Sequence, residues 1–222
     1  MKHLRYVLFD LDGTLIDSEG YYYRGFAPFL LEHFGVSISM DDWMRYFVGH
    51  TLAQNIKFME KRWGIITTRE FIIKHTQPYY DSHVNSIGLM PGALELIDHL
   101  KSSDIKLALV TSSFSDFAQE VLTTNKILHY FETLITRDKV VKPKPDAEPY
   151  LMAMRYFGGL PEEYLALEDS IAGLHSAQSA GVSCFIVNTF KLEEFKKADA
   201  VFDSLLQVKN RLFAEHREQK EL

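Results

Sequence analysis

The segment Phe9-Asp10-Leu11-Asp12-Gly13-Thr14 is the most informative part of the sequence for both the fold and the chemistry of the chain. It overlaps the end of an apolar run, Tyr6-Val7-Leu8-Phe9, which is typical of a buried strand in a parallel sheet. Two carboxylates follow this strand at positions i and i+2, and a glycine then allows the chain to turn sharply. Because ligands of open α/β sheets bind beyond the carboxyl ends of the strands, the two acids form a candidate active site.

Two acids in this position can serve in different ways. They can hold a hard cation between them, or they can divide the roles of nucleophile and acid–base catalyst. An aspartate after a strand is also a common turn former or helix N-cap, and a single Asp-x-Asp motif does not separate these alternatives. The remaining polar segments at predicted strand ends therefore have to be considered with it.

The bulk properties limit the possible functions. The 222 residues suit one large domain or a domain with an insertion, and a net charge of −6 with a pI near 5.8 gives no basic footprint for nucleic acid. No apolar run approaches the roughly 20 residues that span a bilayer, and the first residues lack a signal-peptide pattern. The single cysteine, Cys184, lies in an apolar run and is expected to be buried and inert. We expect a cytoplasmic monomer without nucleic-acid or membrane partners.

Apolar runs alternate with helical patterns along most of the chain. Helical spacing of apolar residues is found at 92–101, 147–157 and 171–180. The predicted strands are 5–9, 106–111, 133–136, 164–167, 183–187 and, more weakly, 200–202. This alternation predicts an α/β fold, a Rossmann-like doubly wound parallel sheet.

One long segment breaks the alternation. Residues 17–87 contain helical runs without a convincing strand, including an aromatic stripe that begins at Tyr22 and a second apolar stripe that begins at Leu52. We therefore predict a small helical cap domain at 17–87, inserted into an α/β catalytic core formed by 1–16 and 88–222. Its connections follow the first strand, where an insertion can cover the site as a lid.

Three further segments carry polar groups at predicted strand ends or loops. Hydroxyls can donate hydrogen bonds to an oxyanion, although Ser113 is also a natural N-cap for the next helix. Lysines between prolines present a charge on a stiff backbone, and Lys144 is also compatible with an ordinary surface position. Adjacent acids can complete a magnesium site, or Asp169 can be an N-cap. The segments are Thr111-Ser112-Ser113, Lys142-Pro143-Lys144-Pro145-Asp146 and Glu168-Asp169-Ser170.

Together with Asp10-Leu11-Asp12-Gly13-Thr14, these segments occur in the order of the four motifs of the haloacid dehalogenase superfamily. The resemblance spans nearly the whole chain, including the helical insertion as a cap. It is strongest to the subgroup of sugar-phosphate phosphatases and beta-phosphoglucomutases. The resemblance implies a Mg²⁺-dependent enzyme that acts on a small-molecule phosphate ester.

The resemblance also implies a role for each site residue. Asp10 would be the nucleophile that forms an aspartyl-phosphate, and Asp12 the general acid and then the base for water. Thr111 and Lys142 would hold the transferring oxygens, with Lys144 as the alternative lysine. Magnesium would be bound by the Asp10 carboxylate, the Asp12 backbone carbonyl and Asp169, with Glu168 nearby. The expected substrate contacts are Ser112, Glu19 and His50.

Departures from the motif pattern bear on the choice of activity. His50 stands where relatives often carry an arginine, and Tyr22 stands where the mutases carry a cap histidine. We therefore predict a phosphatase acting on a phosphorylated sugar or similar metabolite. The alternative is a phosphosugar mutase, which would be stimulated by a bisphosphate. A non-catalytic module of the same fold is the third possibility, although all four site elements are intact. A dehalogenase is disfavoured because such enzymes lack the second acid, Asp12.

Overall fold

The computed structural model describes residues 3–48, 50–188 and 192–214. The strands are β1 (Tyr6–Phe9), β2 (Lys106–Val110), β3 (Phe131–Ile135), β4 (Tyr164–Glu168), β5 (Ser183–Val187) and β6 (Ala200–Phe202). The helices are α1 (Glu19–Phe34), α2 (Met40–Tyr46), α3 (Leu52–Trp63), α4 (Arg69–His83), α5 (Ala93–Ser102), α6 (Ser115–Thr124), α7 (Glu148–Phe157), α8 (Ile171–Ser179) and α9 (Leu205–Phe213).

The strands form one parallel sheet in the order β3-β2-β1-β4-β5-β6. The chain winds outward from β1 in both directions, so the predicted doubly wound α/β fold is confirmed. Predicted and observed strand limits agree closely, except that β3 begins at Phe131 rather than at residue 133. Residue 132 is an exposed glutamate within β3, which concealed the start of this strand from a search for apolar runs.

The central strands are the most deeply buried part of the sheet. All four residues of β1 are buried, as are all five residues of β4. Helices cover both faces of a doubly wound sheet, and burial on both faces explains why these strands are continuous apolar runs rather than alternating ones. Cys184 on β5 is buried, as expected. None of the described helices combines the length and apolar character needed to cross a bilayer.

Contacts between residues divide the chain into two units. One contains the sheet and comprises residues 1–16 and 88–222, and the other is Asp17–Ile87. The second unit contains α1 to α4, whose aromatic and aliphatic side chains form a core of their own, including Phe26, Leu30 and Met59.

Close contact between α1 and α4 depends on Gly25. A Cβ atom at this position would overlap the ring of Tyr80. Hydrogen bonds fasten the same pair of helices, because the Tyr21 hydroxyl donates to the Tyr80 carbonyl at 2.9 Å and the Tyr80 hydroxyl donates to the Tyr22 carbonyl at 3.0 Å. The aromatic stripes of the sequence are therefore core of the helical unit, as their spacing predicted.

The charged sequence of residues 209–222 at the end of the chain is typical of a solvated terminal helix. Helix α9 covers its first part and ends at Phe213. Residues 215–222 lie outside the described ranges.

Candidate active site

The carboxyl ends of β1 and β4 place Asp10 beside Glu168. Phe9 on β1 lies level with Leu109 of β2 and Leu167 of β4. Asp10 and Glu168 are each one residue beyond this level, and the Asp10 backbone N–H donates to the Leu167 carbonyl at 2.9 Å. Two carboxylates therefore lie next to each other at the sheet edge where ligands of this fold class bind.

The lysine that neutralises this pair is Lys144, whose side chain is only 4% exposed. Its Nζ donates to Asp10 Oδ1 and to the Val110 carbonyl, both at 2.7 Å, and also to Glu168 Oε1. The Tyr150 hydroxyl donates to the same Glu168 oxygen at 2.6 Å. The ammonium thus connects the ends of three neighbouring strands.

Lys142, predicted to be the lysine of the site, does not contact these acids in the structure, and the alternative lysine, Lys144, does. The Lys142 side chain is exposed, and its backbone N–H donates to Glu148 Oε2 at 2.9 Å. The Val141 N–H donates to the other oxygen of the same carboxylate at 2.8 Å. Glu148 at the start of α7 thereby fixes the first part of the loop, and Lys144, two residues further, enters the site. Because both lysines precede a proline, the local sequence does not show which of them enters the site.

The cluster contains more carboxylates than ammonium groups. Burial raises the pKa of the Asp10 carboxyl to about 7; Lys144 opposes this shift, while the charges of Glu168 and Asp12 add to it. For Lys144, burial favours the neutral amine, but the Asp10 and Glu168 carboxylates outweigh burial and raise its pKa above the ordinary value. Because the Lys144 ammonium pairs with both Asp10 and Glu168, negative charge remains in the cluster. A bound cation would offset this charge.

An acidic cluster able to hold a cation lies at this point. One carboxylate oxygen from each of Asp10, Glu168 and Asp169 lies within 4.8 Å of the other two. Gly13 has a φ of 73°, and a Cβ atom there would overlap the Asp169 carboxylate, so the glycine makes room for this side chain. Oxygen donors of this kind fit a hard divalent cation such as Mg²⁺. Glu168, expected only nearby, belongs to the cluster itself.

The Asp12 carboxylate is held by a hydroxyl rather than by the acidic cluster. Ser113 Oγ donates to Asp12 Oδ2 at 2.5 Å, and the Ser113 N–H donates to Thr111 Oγ1 at 3.0 Å. The alternative of Ser113 as a helix N-cap is wrong, because Phe114 occupies that position and α6 begins at the next residue. Thr111 is buried at the end of β2, and Ser112 is exposed. The structure therefore brings Asp12, Thr111 and Ser113 together.

Two expected substrate contacts, Glu19 and His50, lie in the helical unit. Trp43 Nε1 donates to Glu19 Oε2 at 2.9 Å, and His50 Nδ1 lies 2.9 Å from the Tyr46 carbonyl. Both side chains line one cavity inside this unit. Their expected role in substrate binding, like that of Ser112, stays a prediction.

The partners of the acids were not predicted from the sequence. Tyr150 fits the apolar helical spacing of 147–157, although a buried phenol usually needs a hydrogen-bond partner. Asn188 follows β5 directly, and its Nδ2 donates to the Asp169 carbonyl at 2.8 Å. A polar residue immediately after an apolar strand was the signal that could have found Asn188. For Ser113, the sequence offered an oxyanion donor or a helix N-cap, and neither of these predicts its hydrogen bond to Asp12.

These features are those of an α/β enzyme with an acidic cluster, able to hold a cation, at the carboxyl edge of its sheet. Residues 7–187 match the family model for haloacid dehalogenase-like hydrolases. The match covers most of the chain, which therefore belongs to this family.

Relatives with known names support the same assignment. The chain is 30% identical over 203 residues to validoxylamine A 7'-phosphate phosphatase of Streptomyces hygroscopicus, covering 91% of this chain and 94% of the relative. It is 28% identical over 206 residues to hexitol phosphatase A of Escherichia coli, covering 90% and 91%. Its fold is similar to that of a HAD family hydrolase from Deinococcus radiodurans, with a TM-score of 0.84 at 20% identity, covering 96% of each chain.

Proposed function

We propose that the chain is a magnesium-dependent phosphatase of small phosphorylated metabolites, with a phosphorylated sugar or similar polyol phosphate as substrate. The observation that carries the proposal is the contact of Lys144 with both Asp10 and Glu168, beside Asp169. Phosphoryl transfer of this kind requires a carboxylate nucleophile, a positively charged side chain held in place and oxygen ligands for a metal. The Lys144 ammonium would be the positively charged group. The names of the relatives support the substrate class.

The reaction is proposed in two steps. A carboxylate oxygen of Asp10 attacks phosphorus while the bond between phosphorus and the ester oxygen breaks, and Asp12 gives its proton to that departing oxygen. Water then attacks the phosphorus of the aspartyl-phosphate while the bond between phosphorus and the Asp10 oxygen breaks, and Asp12 takes a proton from the attacking water. Orthophosphate leaves, and both carboxyl groups return to their starting states. Ser113 holds the Asp12 carboxyl group in position through its hydrogen bond.

The remaining residues of the proposed site offset charge and position the phosphoryl group. Lys144 takes the role expected of Lys142, because it offsets the charge of Asp10 and can contact a transferring oxygen. Thr111 is proposed to donate its hydroxyl to another oxygen of the phosphoryl group. Asp10, Glu168 and Asp169 would hold Mg²⁺, which when bound supplies positive charge against the phosphoryl oxygens.

Removal of the metal is expected to abolish activity. We expect phosphate release from a panel of sugar phosphates and other metabolite phosphates in the presence of Mg²⁺, and loss of that release after treatment with a chelator. Readdition of Mg²⁺ should restore the rate, because the acidic cluster offers oxygen ligands that favour a hard cation. Measurement of released orthophosphate tests this directly, and activity that survives complete metal removal would contradict the magnesium proposal.

The same panel separates the phosphatase from its alternatives. A mutase would release little phosphate and would convert a sugar monophosphate to its isomer when a bisphosphate is added. A non-catalytic module would do neither. Release in the absence of bisphosphate, at a rate that exceeds isomer formation, is the outcome we expect.

Loss of the hydroxyl that holds Asp12 is expected to reduce turnover. In Ser113→Ala, kcat should fall by roughly 10- to 150-fold, since a hydrogen bond to a charged group contributes about 1.5–3 kcal/mol. The pH profile of kcat should also shift, because this bond favours the ionised form of the carboxyl group. Ser103→Ala, at an exposed serine before β2, is the matched control and should leave both unchanged. An unaltered pH profile in Ser113→Ala would show that the hydroxyl has no part in acid–base catalysis.

A further inference from the structure

Hydrogen bonds from three directions fix Ser113 at the carboxyl edge of the sheet. Its hydroxyl donates to Asp12 Oδ2 at 2.5 Å, and its N–H donates to Thr111 Oγ1 at 3.0 Å. Its carbonyl accepts the Arg137 N–H at 2.9 Å. Arg137 belongs to loop 136–138, which follows β3, the strand next to β2 in the sheet. The position of the Ser113 hydroxyl therefore depends on this loop.

Asp138 ties the same loop to the first residue of α6. Its Oδ1 accepts the Ser115 N–H at 2.9 Å, and its Oδ2 accepts the Ser115 hydroxyl at 2.7 Å. Ser115 Oγ also lies 2.7 Å from Oγ1 of Thr136, which is fully buried directly after β3. Loop 136–138 is therefore bonded to both ends of the turn formed by residues 113–115.

The sequence of this turn explains why an acceptor comes from a distant segment. Phe114 is the N-cap residue of α6, and its side chain has no oxygen that could accept a backbone N–H at the start of the helix. Asp138 supplies the acceptor instead. The hydrogen bond from the Ser115 hydroxyl is the main cause that lowers the pKa of Asp138 to about 2, so this carboxyl group is ionised at neutral pH. Hydrogen bonds to an ionised acceptor are stronger than neutral ones.

We propose that Asp138 is a positioning residue for the acid–base group of the site. It holds the turn 113–115 so that the Ser113 hydroxyl meets the Asp12 carboxylate. Asp138 acts through Ser115 and Ser113 and not on the substrate. The effect on turnover rests on the proposed phosphatase function, whereas the hold on the turn is a property of the fold.

Hydrogen exchange at single-residue resolution tests the hold on the turn without substrate or metal. The variant is Asp138→Ala, measured as the full-length chain with chelator present. We expect the amides of Ser113, Ser115 and Arg137 to exchange about tenfold faster than in the parent, because local opening becomes easier. The Ser115 amide loses its acceptor directly, and the other two loosen with the turn. Faster exchange at Ser115 alone, or at none of the three, would overturn the proposal.

Steady-state kinetics test the effect on turnover. In Asp138→Ala, kcat should fall about tenfold while KM changes by less than about twofold, since a misplaced Ser113 hydroxyl affects the chemical step rather than substrate binding. The matched control is Asp116→Ala, at another exposed acid in the first turn of α6. It removes the same charge near the same helix terminus. The control should leave kcat, KM and the exchange rates unchanged. A raised KM with unchanged kcat in Asp138→Ala would contradict a positioning role.

A double variant distinguishes positioning from a general loss of stability. Without its hydroxyl, Ser113 leaves Asp138 nothing to position. Ser113→Ala and the double variant Ser113→Ala/Asp138→Ala should therefore have the same kcat within about twofold, as expected for residues that act through one contact. A further tenfold fall of kcat in the double variant would show that Asp138 acts independently of Ser113.

Ser115→Ala keeps the test independent of how Asp138→Ala folds. It removes one hydrogen bond to Asp138 and retains the one from the backbone N–H, so kcat should fall by about threefold, less than in Asp138→Ala. An unchanged kcat in Ser115→Ala would contradict the proposed route through this residue. If the parent releases no phosphate from any member of the panel, the proposed function fails, and the exchange measurement alone decides whether Asp138 holds the turn.

Discussion

We expect Asp10→Asn to slow phosphate release by about 10⁴-fold or more, because removal of a catalytic nucleophile costs on this order. The amide keeps nearly the same shape and its oxygen can still accept a hydrogen bond from Lys144. It cannot form the aspartyl-phosphate. The folded state should be retained, since the substitution removes one of several negative charges from a buried cluster. Single-turnover assays with the best substrate of the panel measure the chemical step directly.

Two further measurements make this result specific to the nucleophile. Asp104→Asn, at an exposed position before β2, should release phosphate at the parental rate. Acid quenching of the parent during turnover of a ³²P-labelled substrate should leave label on the protein, and Asp10→Asn should retain none. Release that survives in Asp10→Asn would mean that another group is the nucleophile.

The second large effect is expected at Lys144. Lys144→Met removes the single ammonium that contacts both Asp10 and Glu168 and leaves the two acids together in a buried place. Removal of one partner from a buried ion pair typically costs about 3–5 kcal/mol, and chemical denaturation should detect a loss of this size. Activity should fall by about 10²–10³-fold, as for other losses of fixed positive donors around a transferring group.

The neighbouring lysine provides the matched control. Lys142→Met changes an exposed side chain two residues away, so stability should stay within about 0.5 kcal/mol of the parent. Phosphate release should change by less than threefold. If Lys142→Met lost more stability and activity than Lys144→Met, the role would belong to Lys142, and the role proposed for Lys144 would be contradicted.

Much of the fold could be predicted because its signals are local. Buried parallel strands are continuous apolar runs, and a few residues suffice to recognise them. Helical spacing in 17–87 likewise indicated the helical insertion, and the core of that unit is built from the predicted stripes. β3 was placed two residues late because Glu132 interrupts its apolar pattern.

The site was predicted in part for the same reason. Polar residues directly after apolar strands pointed to Asp10, Asp12 and Asp169. Local sequence gave no means of choosing Lys144 over Lys142. Nor did it reveal that Tyr150 donates to Glu168, because the tyrosine also fits the apolar face of a helix.

Hydrophobic periodicity and turn residues act over short stretches of chain, so the succession of strands, the helical pattern of 17–87 and the order of the polar motifs can be recognised in the sequence. Which polar groups meet depends on the tertiary structure. Lys144 and Asp10 are 134 residues apart, and Ser113 and Asp12 are 101 apart. Burial and hydrogen-bond partners depend on such distant segments.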